Sequence, residues 1–230
     1  MRLESIRQSL HATGAKDCHI DRVLRAWTQA KPLDAGPRHQ PPDNYLPLPL
    51  RNALPALDSK FASLARIRSE HKGEDGSRLL VELADGQLVE SVLLPRDGLC
   101  ISTQVGCAVG CTFCMTGRNG LLRQVDSGEM VAQVVLARRQ RKVSRVVFMG
   151  MGEPSHNMDN VLEAIDMLGT YGGIGHKNLV FSTVGDHRVF ERLPLERVRP
   201  ALAISLHTTR AALRTELLPR APAIPPEELV

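Results

Sequence analysis

Residues 105–115 carry the sequence Val-Gly-Cys-Ala-Val-Gly-Cys-Thr-Phe-Cys-Met, which places three cysteines at Cys107, Cys111 and Cys114. Iron–sulfur clusters are held by cysteine thiolates, usually four of them. A loop that supplies only three leaves one iron open, and an open iron can bind a substrate. The alternative is a structural zinc site, which normally uses two Cys-x2-Cys pairs in a closed tetrahedron. Only Cys111 and Cys114 form such a pair, so the spacing favours a cluster.

The composition is that of a globular protein with a modest positive charge. The chain has 230 residues, 43% of them hydrophobic and 3% aromatic, and a formal net charge of +4. This charge permits a nucleic-acid partner without requiring one. Four of the five cysteines lie between Cys100 and Cys114, a poor layout for a disulfide framework. Because no apolar run approaches the roughly 20 residues of a membrane span, we expect a cytoplasmic protein without a membrane segment.

One short segment is strongly basic, since residues 138–142 have the sequence Arg-Arg-Gln-Arg-Lys. Two interpretations are open at this point. The run is either the solvated end of a helix or a surface that faces RNA.

The hydrophobic pattern predicts three regions. Residues 1–45 form a helical accessory region with two amphipathic helices and a proline-rich linker at 32–42. Residues 46–98 form a broken helical segment, which includes the apolar positions up to Ile67, followed by a β-hairpin. Residues 99–230 alternate between strands and helices, which is typical of a parallel sheet or barrel.

Most of the candidate functional residues lie on the predicted hairpin or on the strands that follow it. Asp85-Gly86 lies between two β-prone runs and predicts the turn of the hairpin, with Glu90 on the second strand. The later strands are expected at 100–103, 145–149, 178–182 and 201–205, and the helices at 127–140, 160–168, 187–193 and 210–217.

Polar and glycine residues follow three of these strands, where the active sites of βα folds gather. Gly150-Met151-Gly152-Glu153-Pro154 follows the second strand, and its glycines would let a ligand approach the backbone. Glu153 could accept a hydrogen bond from an ammonium group. Ser182 closes the next strand, and Ser205-Leu206-His207 closes the one after. A histidine in such a segment is often only structural, but its strand-end position favours a functional role.

The cysteine spacing and the glycine–glutamate turn resemble the radical S-adenosylmethionine (SAM) superfamily. The resemblance implies a [4Fe–4S] cluster held by Cys107, Cys111 and Cys114, with SAM bound to the fourth iron. It implies that Gly152 and Glu153 contact the SAM amino group. It also implies that Ser182, Ser205, Leu206 and His207 line the SAM site, and that the fold is a partial (β/α) barrel. About four βα units are present of an expected six, after the helical accessory domain.

The segment from Glu90 to His207 resembles more specifically the RlmN/Cfr-type ribosomal RNA adenine methyltransferases. The residues that carry this resemblance keep one order along the chain: Val89-Glu90-Ser91-Val92-Leu93-Leu94-Pro95, Leu99-Cys100, Gln104-Val105-Gly106-Cys107, Gly150-Met151-Gly152-Glu153-Pro154, Ser182-Thr183 and Ala203-Ile204-Ser205-Leu206-His207. Cys100, seven residues before the first cluster cysteine, together with the upstream Glu90, narrows the superfamily to this family.

In that family, SAM first methylates a cysteine near the C-terminus. A 5′-deoxyadenosyl radical then takes a hydrogen from that methyl group, and the resulting methylene radical adds to an adenine ring carbon. The resemblance implies that Glu90 helps to remove the ring proton. It implies that Cys100 resolves the protein–RNA adduct through a transient disulfide. The implied partners are ribosomal RNA, with transfer RNA also considered, and an electron donor such as flavodoxin or ferredoxin, and the implied protein is a monomer.

The sequence departs from the family at one point, because no cysteine follows Cys114. The methyl-carrying cysteine is therefore absent, and Cys18 is interpreted as a lone buried cysteine rather than a replacement. The last residues, 225–230, look like the start of a helix, so we expect the chain to be the N-terminal portion of a longer protein. A different radical SAM reaction and a non-catalytic fragment that binds a cluster or RNA stay open as alternatives, as do carbon 2 and carbon 8 of adenine.

Overall fold

The computed structural model describes residues 1–36, 40–74 and 76–229. Part of the predicted linker, residues 37–39, and Val230 of the predicted final helix lie outside the described residues. The helices are α1 (Leu3–His11), α2 (Asp17–Thr28), α3 (Leu48–Ala62), α4 (Ser127–Gln140), α5 (Met158–Thr170), α6 (His187–Arg192), α7 (Ala211–Leu217) and α8 (Pro226–Leu229). The strands are β1 (Ala65–Gly73), β2 (Gly76–Leu83), β3 (Leu88–Leu94), β4 (Gly98–Ile101), β5 (Gln104–Gly106), β6 (Leu121–Gln124), β7 (Arg145–Phe148), β8 (Leu179–Thr183) and β9 (Ala201–Ile204).

A seven-stranded sheet with the order β1-β2-β3-β4-β7-β8-β9 organises the fold. Strands β1 to β4 pair antiparallel, whereas β4, β7, β8 and β9 pair parallel. The four parallel strands confirm the predicted α/β class with about four βα units. The sheet is open within the described residues, and a second, two-stranded sheet joins β5 to β6.

The two faces of the large sheet have different environments. One face carries fully buried side chains such as Leu79, Val81, Leu99 and Phe148, and α3 and α4 pack on the β1 end of the sheet. Strands alternate their side chains between faces, so the residues between these positions project from the opposite face. That opposite face carries Glu90, Cys100 and Ser182, and it is only partly covered.

The N-terminal helices form as predicted and pack onto the same core. Trp27 of α2 stacks on Phe61 of α3 with ring centroids 4.0 Å apart, and both residues are buried. None of the helices among the described residues is both long and apolar enough to span a membrane.

The predicted broken helical segment is wrong in two respects. Residues 48–62 form one helix that contains Pro55, and the following residues form β1, so that Ile67 lies on a strand. The spacing of Phe61, Leu64 and Ile67 is typical of a helix, but Ile67 alternates with Arg66 and Arg68 on β1. A β-bulge between Ile67 and Ser69 interrupts the regular alternation and explains why the strand is hard to recognise. The boundaries of the three predicted regions remain predictions.

Candidate metal and cofactor site

The cysteine loop is closed by a short two-stranded sheet that the sequence did not suggest. Gln104 pairs with Gln124 and Gly106 with Leu121, so β5 and β6 bring the two ends of the loop together. Gly106 has a φ of +76°, and a Cβ at this position would collide with the carbonyl of Gly120. The Cys107 N–H donates to that same carbonyl at 3.0 Å. Only glycine therefore fits directly before the first cysteine.

Two thiols of the loop, those of Cys107 and Cys111, lose part of their contact with solvent and lie near other anionic groups. Cys107 is 9% exposed, and Cys111 and Cys114 are half-buried. Burial raises the pKa of the Cys107 and Cys111 thiols above the ordinary value, and the neighbouring cysteine thiolates and Glu153 raise the pKa further. Three thiolates here are therefore unfavourable without a cationic centre to offset their charge.

The donor set fits an iron–sulfur cluster better than a single ion. Among residues 1–36, 40–74 and 76–229, no three His, Cys, Asp or Glu side chains converge as the ligands of one metal ion. A closed zinc site needs such convergence on one ion. In a cluster each thiolate binds its own iron, so the three cysteines need not converge on one ion.

Glu153 connects the ends of two neighbouring parallel strands. Its side chain is 5% exposed; one carboxylate oxygen accepts the Ser155 N–H at 3.1 Å, and the other accepts the Val184 N–H at 3.0 Å. The preceding Gly152 has a φ of +104°, and its Cβ position would lie 2.5 Å from Cβ of Gln104. The carboxylate is thus held next to the cysteine loop, and each oxygen keeps a free lone pair for another donor.

The third strand end comes close to the cysteine loop. Ser182 and Ser205 have their hydroxyl oxygens 3.5 Å apart. His207, with a φ of +63°, places its ring 4.8 Å from the ring of Phe113. Leu206, which lies between Ser205 and His207 in the sequence, is half-buried. The structure therefore brings the predicted residues Ser182, Ser205, Leu206 and His207 to one edge of the sheet, beside the loop.

Phe113 belongs to this site although the sequence analysis did not single it out. It lies between the second and third cysteines, and its side chain is 55% exposed. An exposed aromatic ring flanked by a histidine offers a flat surface to a ligand. Its position inside the Cys-x2-Cys pair, between two predicted cluster ligands, was the available signal.

Cys100 and Glu90 project from the same face of the sheet. Cys100 lies opposite Val92 in the β3–β4 pair, and Glu90 is two residues before Val92. Burial raises the pKa of the Cys100 thiol to about 11, so at neutral pH the group is a thiol and not a thiolate. Glu90 is 40% exposed and its Oε1 lies 3.2 Å from Nη1 of Arg78.

A buried group of polar side chains, which no sequence pattern predicted, holds this region together. Gln133 of α4 is fully buried; its Oε1 accepts from Ser91 Oγ and from the Ser102 N–H, each at 2.9 Å. Its Nε2 donates to the Ser102 carbonyl at 3.0 Å. Ser102 Oγ donates in turn to the Glu90 carbonyl at 2.5 Å and accepts the Met151 N–H at 2.8 Å. One carboxamide thereby fixes β3, β4 and the glycine–glutamate turn relative to one another.

The same turn is fixed from its other side by two glutamines. The Glu153 N–H donates to Gln104 Oε1 at 2.7 Å, and Gln104 Nε2 donates to Gln124 Oε1 at 2.9 Å. Gln124 Nε2 then reaches the His156 carbonyl at 2.8 Å. The cysteine loop and the Glu153 turn are therefore parts of one hydrogen-bonded unit.

The structure also shows the surroundings of the basic run at 138–142 and of Cys18. In the basic run at 138–142, Arg138 donates to the Val143 carbonyl at 3.1 Å and Arg141 donates to the Gly98 carbonyl at 2.7 Å. Lys142 is exposed and pairs with the Asp97 side chain at 2.9 Å, so an RNA-facing role of the run stays a prediction. Cys18, expected to be buried, is exposed, because it lies on the side of α2 away from the core.

Comparison with known proteins agrees with this geometry. A family profile described as the radical SAM superfamily matches residues 101–217. A probable RNA methyltransferase from Dechloromonas aromatica is 80% identical over 231 residues, which cover all of this chain and 65% of that protein. A probable RNA methyltransferase from Ectopseudomonas mendocina is 70% identical, with 67% of its length covered.

A solved structure is also similar. The crystal structure of a radical SAM methyltransferase from Sphaerobacter thermophilus aligns with a TM-score of 0.74 at 30% identity, over 95% of this chain and 66% of that one. The chain spans about two thirds of the length of the curated relatives that it matches.

Proposed function

We propose, since this chain belongs to the radical SAM superfamily, that it is the catalytic part of an enzyme that methylates an adenine ring carbon in RNA. Ribosomal RNA is the proposed substrate, with transfer RNA as a second substrate class. The observation that carries this proposal is the common face of Glu90, Cys100 and Ser182, next to the cysteine loop. Glu90 and Cys100 are also the two residues by which the resemblance narrows the superfamily to the RNA adenine methyltransferases.

The superfamily uses a [4Fe–4S] cluster and SAM as cofactors. When bound, they supply a one-electron cleavage of SAM. Cys107, Cys111 and Cys114 would hold the cluster, which offsets the charge that their thiolates develop. Glu153 would accept from the SAM ammonium group, because two backbone N–H groups already fix its carboxylate in place.

The roles proposed for Glu90 and Cys100 follow from their environments. Glu90 is exposed enough to meet a nucleobase and would take the adenine ring proton. Cys100 would attack the sulfur of a methyl-carrying cysteine supplied by the rest of the complete protein. Cys100 would lose its proton as it attacks, and the disulfide bond would form as the sulfur–carbon bond to the RNA breaks. The electron pair of that bond would stay on the carbon, which takes up a proton and becomes the methyl group. A thiol with a pKa of about 11 resists oxidation at neutral pH, which suits a residue that must stay reduced until the adduct forms.

The remaining parts of the proposal concern the setting of the reaction. We expect a cytoplasmic monomer that receives electrons from a flavodoxin or a ferredoxin. The disulfide formed by Cys100 would be transient and would be reduced before the next turnover.

The test of this proposal is to replace Cys100 by alanine in a complete protein that contains this chain. A covalent protein–RNA adduct should accumulate, because the thiol that would release the RNA is gone. The adduct should migrate slowly on a denaturing gel and disappear after nuclease treatment. The 230-residue chain with the same change should form no adduct. Normal production of methyladenine by the Cys100→Ala protein would show that Cys100 has no resolving role.

A further inference from the structure

Beyond the parallel strands, the sheet continues into β1, β2 and β3, whose side chains on the face of Glu90 are half-buried or exposed. Residues that pair in register project from the same face. Leu80 pairs with Glu90, and Glu82 pairs with Leu88. On the next strand, Arg66 pairs with Glu82 and His71 with Arg78. The face that carries Glu90 and Cys100 therefore extends without interruption across β2 and β1.

Three arginines occupy this extension, and two glutamates hold them in place. Arg66 and Arg68 both reach the carboxylate of Glu82, at 2.5 and 2.9 Å. Arg78 contacts Glu90 at 3.2 Å. We call Arg66, Arg68 and Arg78 the arginine face. Because two of its arginines share one carboxylate, the five charged groups carry an excess of positive charge.

The arginine face is ordered but accessible. The side chains of Arg66, Arg68 and Arg78 are 65%, 55% and 54% exposed. Glu82 is only 17% exposed, so offsetting its charge is one role of Arg66 and Arg68. The Arg78–Glu90 pair is exposed on both sides, and such a pair contributes little to stability, about 0–1 kcal/mol. The guanidinium groups keep unused donors, and a guanidinium binds a phosphate through two parallel hydrogen bonds.

We propose that the arginine face binds the phosphodiester backbone of the substrate RNA and directs the target nucleotide toward Glu90 and Cys100. This inference rests on the proposed function and extends it to a surface that the cofactor site does not include. Arg78 links the two, because its present partner, Glu90, is the residue proposed to act on the base. A phosphate that takes Arg78 would free the Glu90 carboxylate at the moment the substrate arrives.

The other arginines with similar exposure give a matched comparison. Arg2, Arg192 and Arg197 are 55%, 46% and 66% exposed and pair with Glu163, Asp159 and Asp166. All three acidic partners lie on α5, in the helical layer behind the sheet. The two sets of arginines therefore have the same number of charges and the same kind of partner, and differ in the face they occupy.

The experiment measures binding of the 230-residue chain to a fluorescent RNA hairpin with adenines in its loop, by anisotropy across a range of salt concentrations. The triple variant R66Q/R68Q/R78Q should bind at least tenfold more weakly than the unaltered chain. Its slope of log affinity against log salt should fall by about 2, because three phosphate contacts at about 0.7 each are lost. The control R2Q/R192Q/R197Q should change both quantities far less. Thermal unfolding of both variants shows whether they remain folded.

Different results identify which proposal fails. If both triple variants lose RNA affinity equally, or if neither loses any, the arginine face does not bind the RNA backbone. The proposed function would be unaffected by that result. No binding of RNA by the unaltered chain would contradict an RNA substrate, and the arginine face with it. The same anisotropy assay is run with a fluorescent polyglutamate peptide. If R66Q/R68Q/R78Q loses binding to this peptide but keeps its affinity for RNA, the arginine face binds an acidic protein partner and the proposal is overturned.

Discussion

Replacing Cys107, Cys111 and Cys114 together by alanine should lower the iron content of anaerobically reconstituted protein from about four atoms per chain to none. The physical reason is that Cys107, Cys111 and Cys114 are the thiolates proposed to bind the irons, and alanine supplies no ligand. The brown, oxygen-sensitive absorbance of the cluster should disappear with the iron. Iron and sulfide assays, together with visible absorption, measure the change.

The matched control for this change is Cys18→Ala, because Cys18 is an exposed cysteine on α2. Its iron content should equal that of the unaltered protein, and so should that of Cys100→Ala. Iron retained by the triple variant, or one equivalent of zinc in the unaltered protein, would contradict the cluster assignment. Circular dichroism should show that the triple variant keeps its secondary structure, because the sheet and its helices do not depend on the loop thiols.

The second large effect is expected at Gln133, where methionine should lower the free energy of unfolding by about 3–5 kcal/mol. Methionine preserves the length of the side chain but makes none of the three hydrogen bonds to Ser91 and Ser102. These groups are buried, and each donor or acceptor left without a partner costs about 1–3 kcal/mol. In a chain of this size the midpoint of thermal unfolding should fall by roughly 10 °C.

Gln140→Met is the control for this prediction. Gln140 ends the same helix, α4, but is exposed, so its replacement should change the unfolding midpoint very little. Denaturant unfolding followed by circular dichroism measures both variants. An equally small effect at Gln133 would mean that its carboxamide does not hold β3, β4 and the Glu153 turn together.

The sequence was most informative where local chemistry decides the structure. The spacing of Cys107, Cys111 and Cys114 predicted the site, and Asp85-Gly86 predicted the hairpin that carries Glu90. The helix at Ser127–Gln140 was predicted with its observed limits. Here Asp126 and Glu129 form a capping box at the start of the helix, a signal that depends only on neighbouring residues.

The parts that the sequence did not predict depend on contacts between distant residues. Strand β1 was missed because its bulge breaks the alternation of side chains and because β2 supplies its hydrogen bonds. The pairing of β5 with β6 joins segments separated by the cysteine loop itself. The roles of Gln104 and Gln133 exist only once the chain has folded, because their partners lie 20 to 49 residues away.

The arginine face shows the same limit of local information. Arg66, Arg68 and Arg78 are not adjacent, whereas the basic run at 138–142 is the most obvious cationic segment in the sequence. In the folded chain, the arginine face and the basic run at 138–142 have different contacts. Arg138 and Arg141 are used to bind backbone carbonyls, and the dispersed arginines are gathered on one exposed face by strand pairing.

The central claim, that the residues of this chain form a radical SAM site, is tested most directly by measuring SAM cleavage. The chain is reconstituted with iron and sulfide, reduced with dithionite and incubated with SAM in the absence of RNA. The account predicts that 5′-deoxyadenosine and methionine form in equal amounts, and that the triple cysteine variant forms neither. A chain that holds about four irons yet produces no 5′-deoxyadenosine would contradict the account.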